Sequence, residues 1–415
     1  MPRWKWLLSQ LTRQLWFRAT MIGMIGILAA ILAAVAERFI PWSIPGGIRA
    51  DAVDDILNIL ASSMLAVTTF SLGAMTSAYG SATSNVTPRA TALLVQDRVT
   101  QNVLSTFLGS FLYSIVGIVV LKTGAYGDSG RVILFVVTVG VIVLIVVSLL
   151  RWIDHLTKLG RVGETTTRVE DATRRAIQDR LQHPYLNGTP LLDPERDIPD
   201  GATPVRAGAI GYVQHIDISA LAQCCKLYDV DLYLAVNPGA FVYTDTPLAW
   251  WGRPTKAEDG REPSQAVRDA VSIGLNRSFD QDPRFGLVVM SEIASRALSP
   301  AVNDPGTAID VIGRNTRLLN LWAEAPDEEE IEFPRVHVPP LSTVDLFEDA
   351  FMAIARDGAS YVEVQLRLQK CLRALANSGN DAFRNSAREQ ARIALVRAEA
   401  ALPTEIDRRR LLGDL

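Results

Sequence analysis

The stretch ILNILASSMLAVTTFSLGAMTSAYGSATSNVTP, residues 56–88, decides the fold class of this chain. No charged side chain lies between Asp55 and Arg89. A bilayer core about 30 Å thick needs roughly 20 apolar residues in a helix, so the first two-thirds of the stretch can cross a membrane. Yet eleven of its thirty-three residues are Ser or Thr, more than contact with lipid alone requires. The stretch therefore predicts a membrane helix whose hydroxyl groups have a use.

Three further apolar runs, at about 19–36, 103–121 and 132–150, accompany residues 56–78. Together they predict four transmembrane helices, the first of them retained rather than cleaved as a signal peptide. Lys and Arg are concentrated before the first run and after the fourth. Because basic residues favour the cytoplasmic side, we expect both termini to lie in the cytoplasm.

The rest of the chain has the composition of a water-soluble protein. The whole chain has 41 basic and 45 acidic residues, a formal net charge of −4, and no basic stripe in its soluble half indicates a nucleic-acid partner. Three cysteines, two of them adjacent, form no disulfide framework, which favours a reducing compartment. We expect a transmembrane domain at 1–155, a stalk helix and linker at 156–204, a small α/β subdomain at 205–255 and a mainly helical cytoplasmic domain at 256–415.

Residues 56–80 have two different faces when placed on a helix with about 100° per residue. One face is small and polar, and it comprises Asn58, Ser62, Ala66, Thr69, Gly73, Thr76, Ser77 and Gly80. The opposite face is bulky and apolar, with Ser71 as the exception, and it comprises Leu57, Leu60, Met64, Val67 and Met75. We call the first set the polar stripe.

Two interpretations of the polar stripe compete. Small residues let membrane helices approach closely, and Ser or Thr can bond across that contact or back to their own helix. Alternatively, copies of the stripe surround a wet pathway, where hydroxyls and an amide replace part of an ion's hydration shell. The stripe carries no ionisable residue at membrane depth, so passive permeation fits better than pumping. A four-helix subunit has little room for a pore, so the second interpretation requires an oligomer.

Asp51, Asp54 and Asp55 precede this helix on the predicted outer side. Repeated around a symmetry axis, they would form an acidic mouth that concentrates cations. The alternative is that they cap the helix and complement its dipole. We also expect the glycines and alanines of the first span, including Gly23 and Gly26, to form a packing surface. The second span is expected to be the most central of the four.

Two motifs resemble a known bacterial family. SNVTPRATALLVQDRVTQNVL at 84–104 and DPRFGLVVMSEIASRALSPAVNDPGTAID at 282–310 are similar to sequences of the family called domain of unknown function 2254, predicted integral membrane proteins. The first motif matches the family closely only at Pro88 and Arg89. The resemblance implies a membrane protein, here of the bacterial inner membrane, and it supplies no catalytic residues.

Beyond residue 160 the pattern predicts mixed elements. An amphipathic helix at 161–182 is followed by a strand at 208–216, a helix beginning at Asp217 and a strand at 230–236. An extended stretch is expected at 333–340. Further helices are expected at 263–279, 285–297, 305–323, 343–357, 361–377 and 380–401.

The sharpest local signal in this half is SPAVNDPGTAID at 299–310. Asp304 as N-cap, with Pro305 at the first helical position, predicts a helix start. The alternative is a ligand or ion site built from Asn303, Asp304 and Thr307, where the free backbone N–H groups could hold an anion.

No enzyme signature emerges from the sequence. The four histidines have no metal-ligand spacing with a cysteine or carboxylate, and no phosphate-binding glycine loop or nucleophile elbow appears. We therefore predict neither catalytic residues nor a metal site nor a cofactor.

The sequence as a whole predicts an α-helical membrane protein with a C-terminal mixed α/β, mainly helical cytoplasmic domain. Its first functional hypothesis is a homo-oligomeric channel permeable to monovalent cations, assembled or gated by the cytoplasmic domain. The pore would be lined by Asn58, Ser62, Thr69, Gly73, Thr76 and Ser77, with membrane lipids and further copies of the chain as partners. The alternative is a membrane-anchored sensor or scaffold whose cytoplasmic domain binds a small ligand or a protein.

Overall fold

The computed structural model describes residues 2–12, 14–36, 50–95, 97–123, 128–252, 263–324 and 331–413. The chain divides into two compact units. The N-terminal unit comprises Leu7–Ser84 and Thr91–Thr165. The C-terminal unit comprises Thr166–Leu415 together with two short segments, Met1–Trp6 and Asn85–Ala90.

The first six helices contain the apolar runs. They are α1 (Arg3–Thr12), α2 (Leu15–Ala36), α3 (Ala50–Asn85), α4 (Pro88–Val95), α5 (Arg98–Lys122) and α6 (Asp128–Leu156). Within the described residues, three helical segments are long and apolar enough to cross a membrane: Asp51–Ser84, Arg98–Lys122 and Gly130–Leu156. One further pair of helices, Arg3–Thr12 and Trp16–Leu32, is bent by 70°. The two helices are long and apolar enough to cross a membrane only when they are taken together as one span. Apolar membrane-length helices are thus confirmed, and their number, three or four, depends on that pair.

Helix α3 is longer than the expected span at 56–78. It has 36 residues, or about 54 Å at 1.5 Å per residue, against a hydrocarbon core of about 30 Å. The helix ends at Asn85 because Pro88 disfavours helical geometry in the residue before it. Pro88 then occupies the first position of α4, where its missing N–H costs nothing.

Helices α2 and α5 approach each other through glycines. A Cβ on Gly26 would lie 2.7 Å from the Gly109 carbonyl oxygen, and a Cβ on Gly109 would lie 2.7 Å from Ile22 Cγ2. A Cβ on Gly23 would lie 2.8 Å from Leu112 Cδ1, the end of a flexible side chain that can shift. The expected packing surface of the first apolar run is therefore present, and α5 is its partner.

The prediction that the second span is the most central is wrong within one chain. Just over half (56 %) of the apolar window of α5 is buried, against 28 % for α3 and 22 % for α6. Helix α5 carries buried hydroxyls of its own at Ser105, Ser110 and Ser114. Ser114 Oγ donates to the Ser110 carbonyl over 2.8 Å, so small polar residues serve close packing in this helix.

The C-terminal unit combines ten helices and eight strands within the described residues. The helices are α7 (Val162–Gln182), α8 (Pro194–Asp197), α9 (Ile218–Tyr228), α10 (Pro263–Ala270), α11 (Pro283–Ala297), α12 (Pro305–Ala323), α13 (Thr343–Asp357), α14 (Val362–Leu375), α15 (Asp381–Ala401) and α16 (Glu405–Gly413). The strands are β1 (Gly188–Pro190), β2 (Thr203–Arg206), β3 (Gly211–Ile216), β4 (Leu232–Leu234), β5 (Phe241–Val242), β6 (Pro247–Trp251), β7 (Val271–Gly274) and β8 (Phe333–Val338).

The strands form two sheets. The first has the order β1-β8-β4-β6-β2, and the second has the order β5-β3-β7. In the first sheet β8 lies parallel to both β1 and β4, so a strand from residues 333–338 completes a sheet that begins near residue 188. The core between these elements is apolar, with Leu221, Leu234 and Val336 fully buried.

The predicted helix at 263–279 is wrong in its second half. Helix α10 ends at Ala270, and Val271–Gly274 continues as β7. This strand pairs antiparallel with β3, placing Ile273 opposite Val213. An apolar run of this length fits a buried helix or a strand equally well, and pairing with a distant strand decided between them.

Candidate functional site

The polar stripe of α3 lies on the outside of the single chain. Asn58, Ser62, Thr69, Thr76 and Ser77 are all exposed, and so are the stripe's three small residues, Ala66, Gly73 and Gly80. The opposite face packs inward, and its buried residues are Leu57, Leu60, Met64, Ser71 and Met75. Within the part of the chain that the structure describes, the stripe is therefore not packed into the interior of its own subunit.

Bulky apolar side chains border the stripe on both sides. Ile59 and Phe70 are 65 % and 70 % exposed on one side, and Leu65 and Leu72 are 51 % and 43 % exposed on the other. At about 100° per residue, these positions flank the stripe. The exposed face of α3 thus has a small polar centre and two apolar margins.

The exposed face of α6 is different. Its exposed large side chains are aliphatic, among them Val136, Val139, Val143, Val147 and Leu150. A uniformly aliphatic face is what contact with lipid tails favours. We therefore expect these two exposed faces of the N-terminal unit to contact different surroundings.

Polar side chains of the stripe direct their hydrogens toward their own backbone. Asn58 Nδ2 donates to the Asp54 carbonyl over 2.9 Å, and Ser62 Oγ donates to the Asn58 carbonyl over 2.9 Å. Thr69 and Thr76 hydroxyls donate in the same way, to Leu65 and Leu72 carbonyls, over 2.9 and 2.8 Å. A hydroxyl that has given its single hydrogen keeps two acceptor lone pairs. Ser62, Thr69 and Thr76 consequently keep oxygen acceptors on this exposed face, and the Asn58 amide keeps an oxygen acceptor and one N–H donor.

Glycines on this face have empty space around them. A Cβ built on Gly73 or Gly80 would meet no atom within 4 Å. Packing within the described part of the chain therefore does not require a glycine at either position.

The acidic residues sit at the start of α3. Asp51 lies in the first turn, where a carboxylate complements the helix dipole. Asp51 and Asp55 are exposed and Asp54 is half-buried. Asp54 Oδ1 is enclosed and has no hydrogen-bond partner among the described residues. The structure therefore brings the three carboxylates to one helix end.

Asn303, Asp304 and Thr307 meet as a helix cap. Asp304 Oδ1 accepts from the Thr307 backbone N–H over 3.0 Å, and Oδ2 accepts from the Thr307 hydroxyl over 2.6 Å. Hydrogen bonds from Thr307 lower the pKa of Asp304. Asn303 adopts a positive φ of 51°, and its Oδ1 accepts from the Tyr361 hydroxyl over 2.9 Å. The cap accounts for these contacts without a ligand.

The two family-like motifs meet at Glu292, a residue that sequence reasoning did not single out. Glu292 Oε2 accepts from the Thr87 hydroxyl over 3.0 Å, and Oε1 forms an ion pair with Arg89 Nη1. Thr87 is buried, as are its neighbours Val86 and Ala90. The segment that directly follows α3 is therefore anchored to α11 in the C-terminal unit.

A buried polar cluster was also missed. His155, near the end of α6, lies with Nε2 2.9 Å from Asp97 Oδ2 and 3.0 Å from Thr100 Oγ1. Asp97 is also the N-cap of α5 and accepts from the Thr100 backbone N–H over 2.8 Å. The cluster ties the start of α5 to the end of α6. His155 is too far in sequence from Asp97 and Thr100 for any spacing rule to reveal the cluster.

Comparison with known proteins places these features in a family. Uncharacterized proteins of Mycobacterium bovis and of two Mycobacterium tuberculosis strains are 30 % identical to this chain over 353 residues. The match spans 80 % of this chain and 65 % of each relative, less than two thirds of their length. No solved structure matches. A family model described as predicted membrane protein, domain of unknown function 2254, matches residues 12–374, and the chain therefore belongs to this family of membrane proteins.

Proposed function

We propose that the protein is a homo-oligomeric, cation-permeable channel of the bacterial inner membrane, with α3 lining the pathway. The observation that carries the proposal is the exposed acceptor surface of the stripe. Four side chains of the stripe each donate a hydrogen bond to the backbone of their own helix: Asn58, Ser62, Thr69 and Thr76. Oxygen lone pairs coordinate cations, whereas an anion needs donors.

The margins of α3 support an oligomer. When copies of α3 surround an axis, the small polar centre faces that axis and the margins with Phe70 and Leu65 face neighbouring copies. Apolar margins then pack as helix contacts, while Gly73 and Gly80 keep the pathway open. Asp51, Asp54 and Asp55 would gather monovalent cations at the outer mouth.

The C-terminal unit is suited to act on the lining helix. With both termini in the cytoplasm, it would lie on that side of the membrane. Thr87 and Arg89 directly follow α3 and are held by Glu292, so a movement of α11 would be passed along the chain to the end of α3. Under this proposal Glu292 sets the balance between closed and open states.

A flux assay tests the channel itself. Purified protein in liposomes is exposed to separate sodium, potassium and chloride gradients. We expect sodium and potassium to pass and chloride to be retained. A folded oligomer that passes none of the three, both as the wild type and as the Glu292→Gln variant, would favour the sensor or scaffold instead.

The Glu292→Gln variant tests the coupling. Gln keeps the size and one acceptor but removes the charge that pairs with Arg89, so we expect cation flux to change at least threefold in either direction. The matched control is Glu389→Gln, which loses an exposed ion pair with Arg392 on α15. If Glu292→Gln conducts as Glu389→Gln does, the proposed coupling is contradicted. That result would not bear on the proposed pore lining.

A further inference from the structure

Arg180, in the last turn of α7, is a buried arginine that lacks a strong partner. Only 6 % of the residue is exposed. Its Nη2 donates to Asn237 Oδ1 over 3.2 Å. Nη1 is enclosed and has no hydrogen-bond partner within the described residues. Guanidinium groups are almost never this buried without a counter-charge, because an unpaired charge is costly to remove from water.

Among the described residues, the neighbouring ionisable groups offset the burial of the Arg180 guanidinium only in part. The Tyr185 phenol and the Asp179 carboxylate act on the Arg180 guanidinium, but the Asp179 carboxylate contacts His183 Nδ1 at 3.4 Å and is more than half exposed. Burial is the larger influence, and it lowers the pKa of Arg180 to about 10. The guanidinium is therefore held in a site that disfavours its charge.

Three other partly enclosed arginines in the C-terminal unit have carboxylate partners. Arg277 donates to both oxygens of Asp282, over 2.7 and 2.9 Å. Arg284 pairs with Asp345 and Asp349, and Arg314 pairs with Glu170 and Asp310. This pattern is what burial of a charge requires. Arg180, which is more buried than these, departs from it.

The surroundings of Arg180 are rigid on one side and strained on the other. Asn237 Nδ2 donates to the carbonyls of Pro339 and Pro340, each over 3.2 Å, so its Oδ1 is fixed where Nη2 meets it. Tyr185 belongs to the turn Pro184–Asn187, in which Tyr185, Leu186 and Asn187 have φ values of 48°, 55° and 64°. Three successive residues with backbone angles in this left-handed region form a rarely populated conformation.

We propose that Arg180 anchors a binding site for an oxyanion, the phosphate or carboxylate group of a small ligand. A guanidinium edge offers two parallel N–H donors that match two oxygens of such a group. Asn237 acts as a positioning residue, since it holds the guanidinium through Nη2 and leaves Nη1 for the ligand. The site is independent of the proposed pore.

The experiment is thermal unfolding of the full-length protein in detergent, followed by tryptophan fluorescence. Sodium phosphate and sodium citrate are compared with sodium chloride at equal ionic strength. We expect phosphate, citrate or both to raise the wild-type Tm by roughly 2–5 °C. The response to each salt identifies whether the site prefers a phosphate or a carboxylate.

Three variants make the result decisive. Arg180→Met should lose the oxyanion-dependent rise and should be no less stable than wild type in chloride, because it removes an uncompensated charge. Arg180→Lys keeps the charge without the paired donors, and its half-saturating oxyanion concentration should rise at least tenfold. Arg335→Met, which removes an exposed pair with Asp229, should keep the full rise. The proposal is overturned if wild type shows no rise with either oxyanion, or if Arg180→Met or Arg180→Lys responds as wild type does.

Discussion

Glycines of α2 and α3 have opposite surroundings although both helices are apolar and belong to the same unit. In α2, a Cβ on Gly26 would collide with the backbone of α5, whereas in α3 a Cβ on Gly73 would meet nothing within 4 Å. Close packing explains the first glycine completely and the second not at all. The comparison teaches that a small residue in a membrane helix has a meaning only once its neighbours are known. For Gly73 of α3, the described part of the chain supplies no close neighbour.

The largest effect on folding is expected at the tight contact between α2 and α5. Gly26→Val should prevent recovery of folded protein, because its Cβ would press on the Gly109 carbonyl oxygen and neither backbone can yield. Overpacking of this kind costs about 1–3 kcal/mol or more. The measurement is the yield of monodisperse protein in detergent and its Tm. A Tm equal to wild type would show that the α2–α5 contact is not as close as described.

The matching change in α3 should leave the fold intact and remove the function. Gly73→Val has free space within its own chain, so the stability of the solubilised protein should change by less than about 0.5 kcal/mol, as for surface substitutions generally. In liposomes we expect at least a tenfold loss of cation flux, because the pathway narrows at each copy. Unchanged flux would mean that this face contacts lipid.

Cross-linking sharpens the comparison between α3 and α6. In a cysteine-free background, Leu65→Cys on the margin of α3 should form disulfide-linked dimers in the membrane under mild oxidation. Val143→Cys, on the aliphatic face of α6, should remain monomeric under the same conditions. Equal cross-linking at both positions, read on non-reducing gels, would remove the distinction between a copy-facing and a lipid-facing surface.

A smaller effect is expected at the N-terminal end of the stripe. Asn58→Leu removes the amide oxygen that faces outward while the helix and its margins stay the same. Cation conductance should fall several-fold without any change in oligomer size, measured by single-channel recording and size-exclusion chromatography. Wild-type conductance would remove Asn58 from the lining.

Much of this architecture follows from local sequence signals. Apolar length indicates α3, α5 and α6, and Asp304 before Pro305 starts α12 as expected. Periodicity also separates the two faces of α3, because the side-chain direction repeats every 3.6 residues.

Other features depend on contacts that no local pattern contains. β7 follows α10 because it pairs with β3, and β8 enters a sheet whose other members lie at least 82 residues earlier. The hydroxyls of α5 and α3 look alike in sequence, yet Ser114 is buried and Ser62 is exposed. Periodicity divides a helix into faces, but only the packed structure shows which face has found a partner.

A paired flux measurement shows whether the polar stripe of α3 lines an ion pathway. Thr69→Phe places a bulky ring on the stripe, and Val143→Phe places the same ring on the exposed face of α6. Reconstituted at equal density, the Val143→Phe protein should conduct sodium and potassium as wild type does, and the Thr69→Phe protein should be nearly silent. If Thr69→Phe conducts as well as Val143→Phe, the polar stripe does not line a pathway.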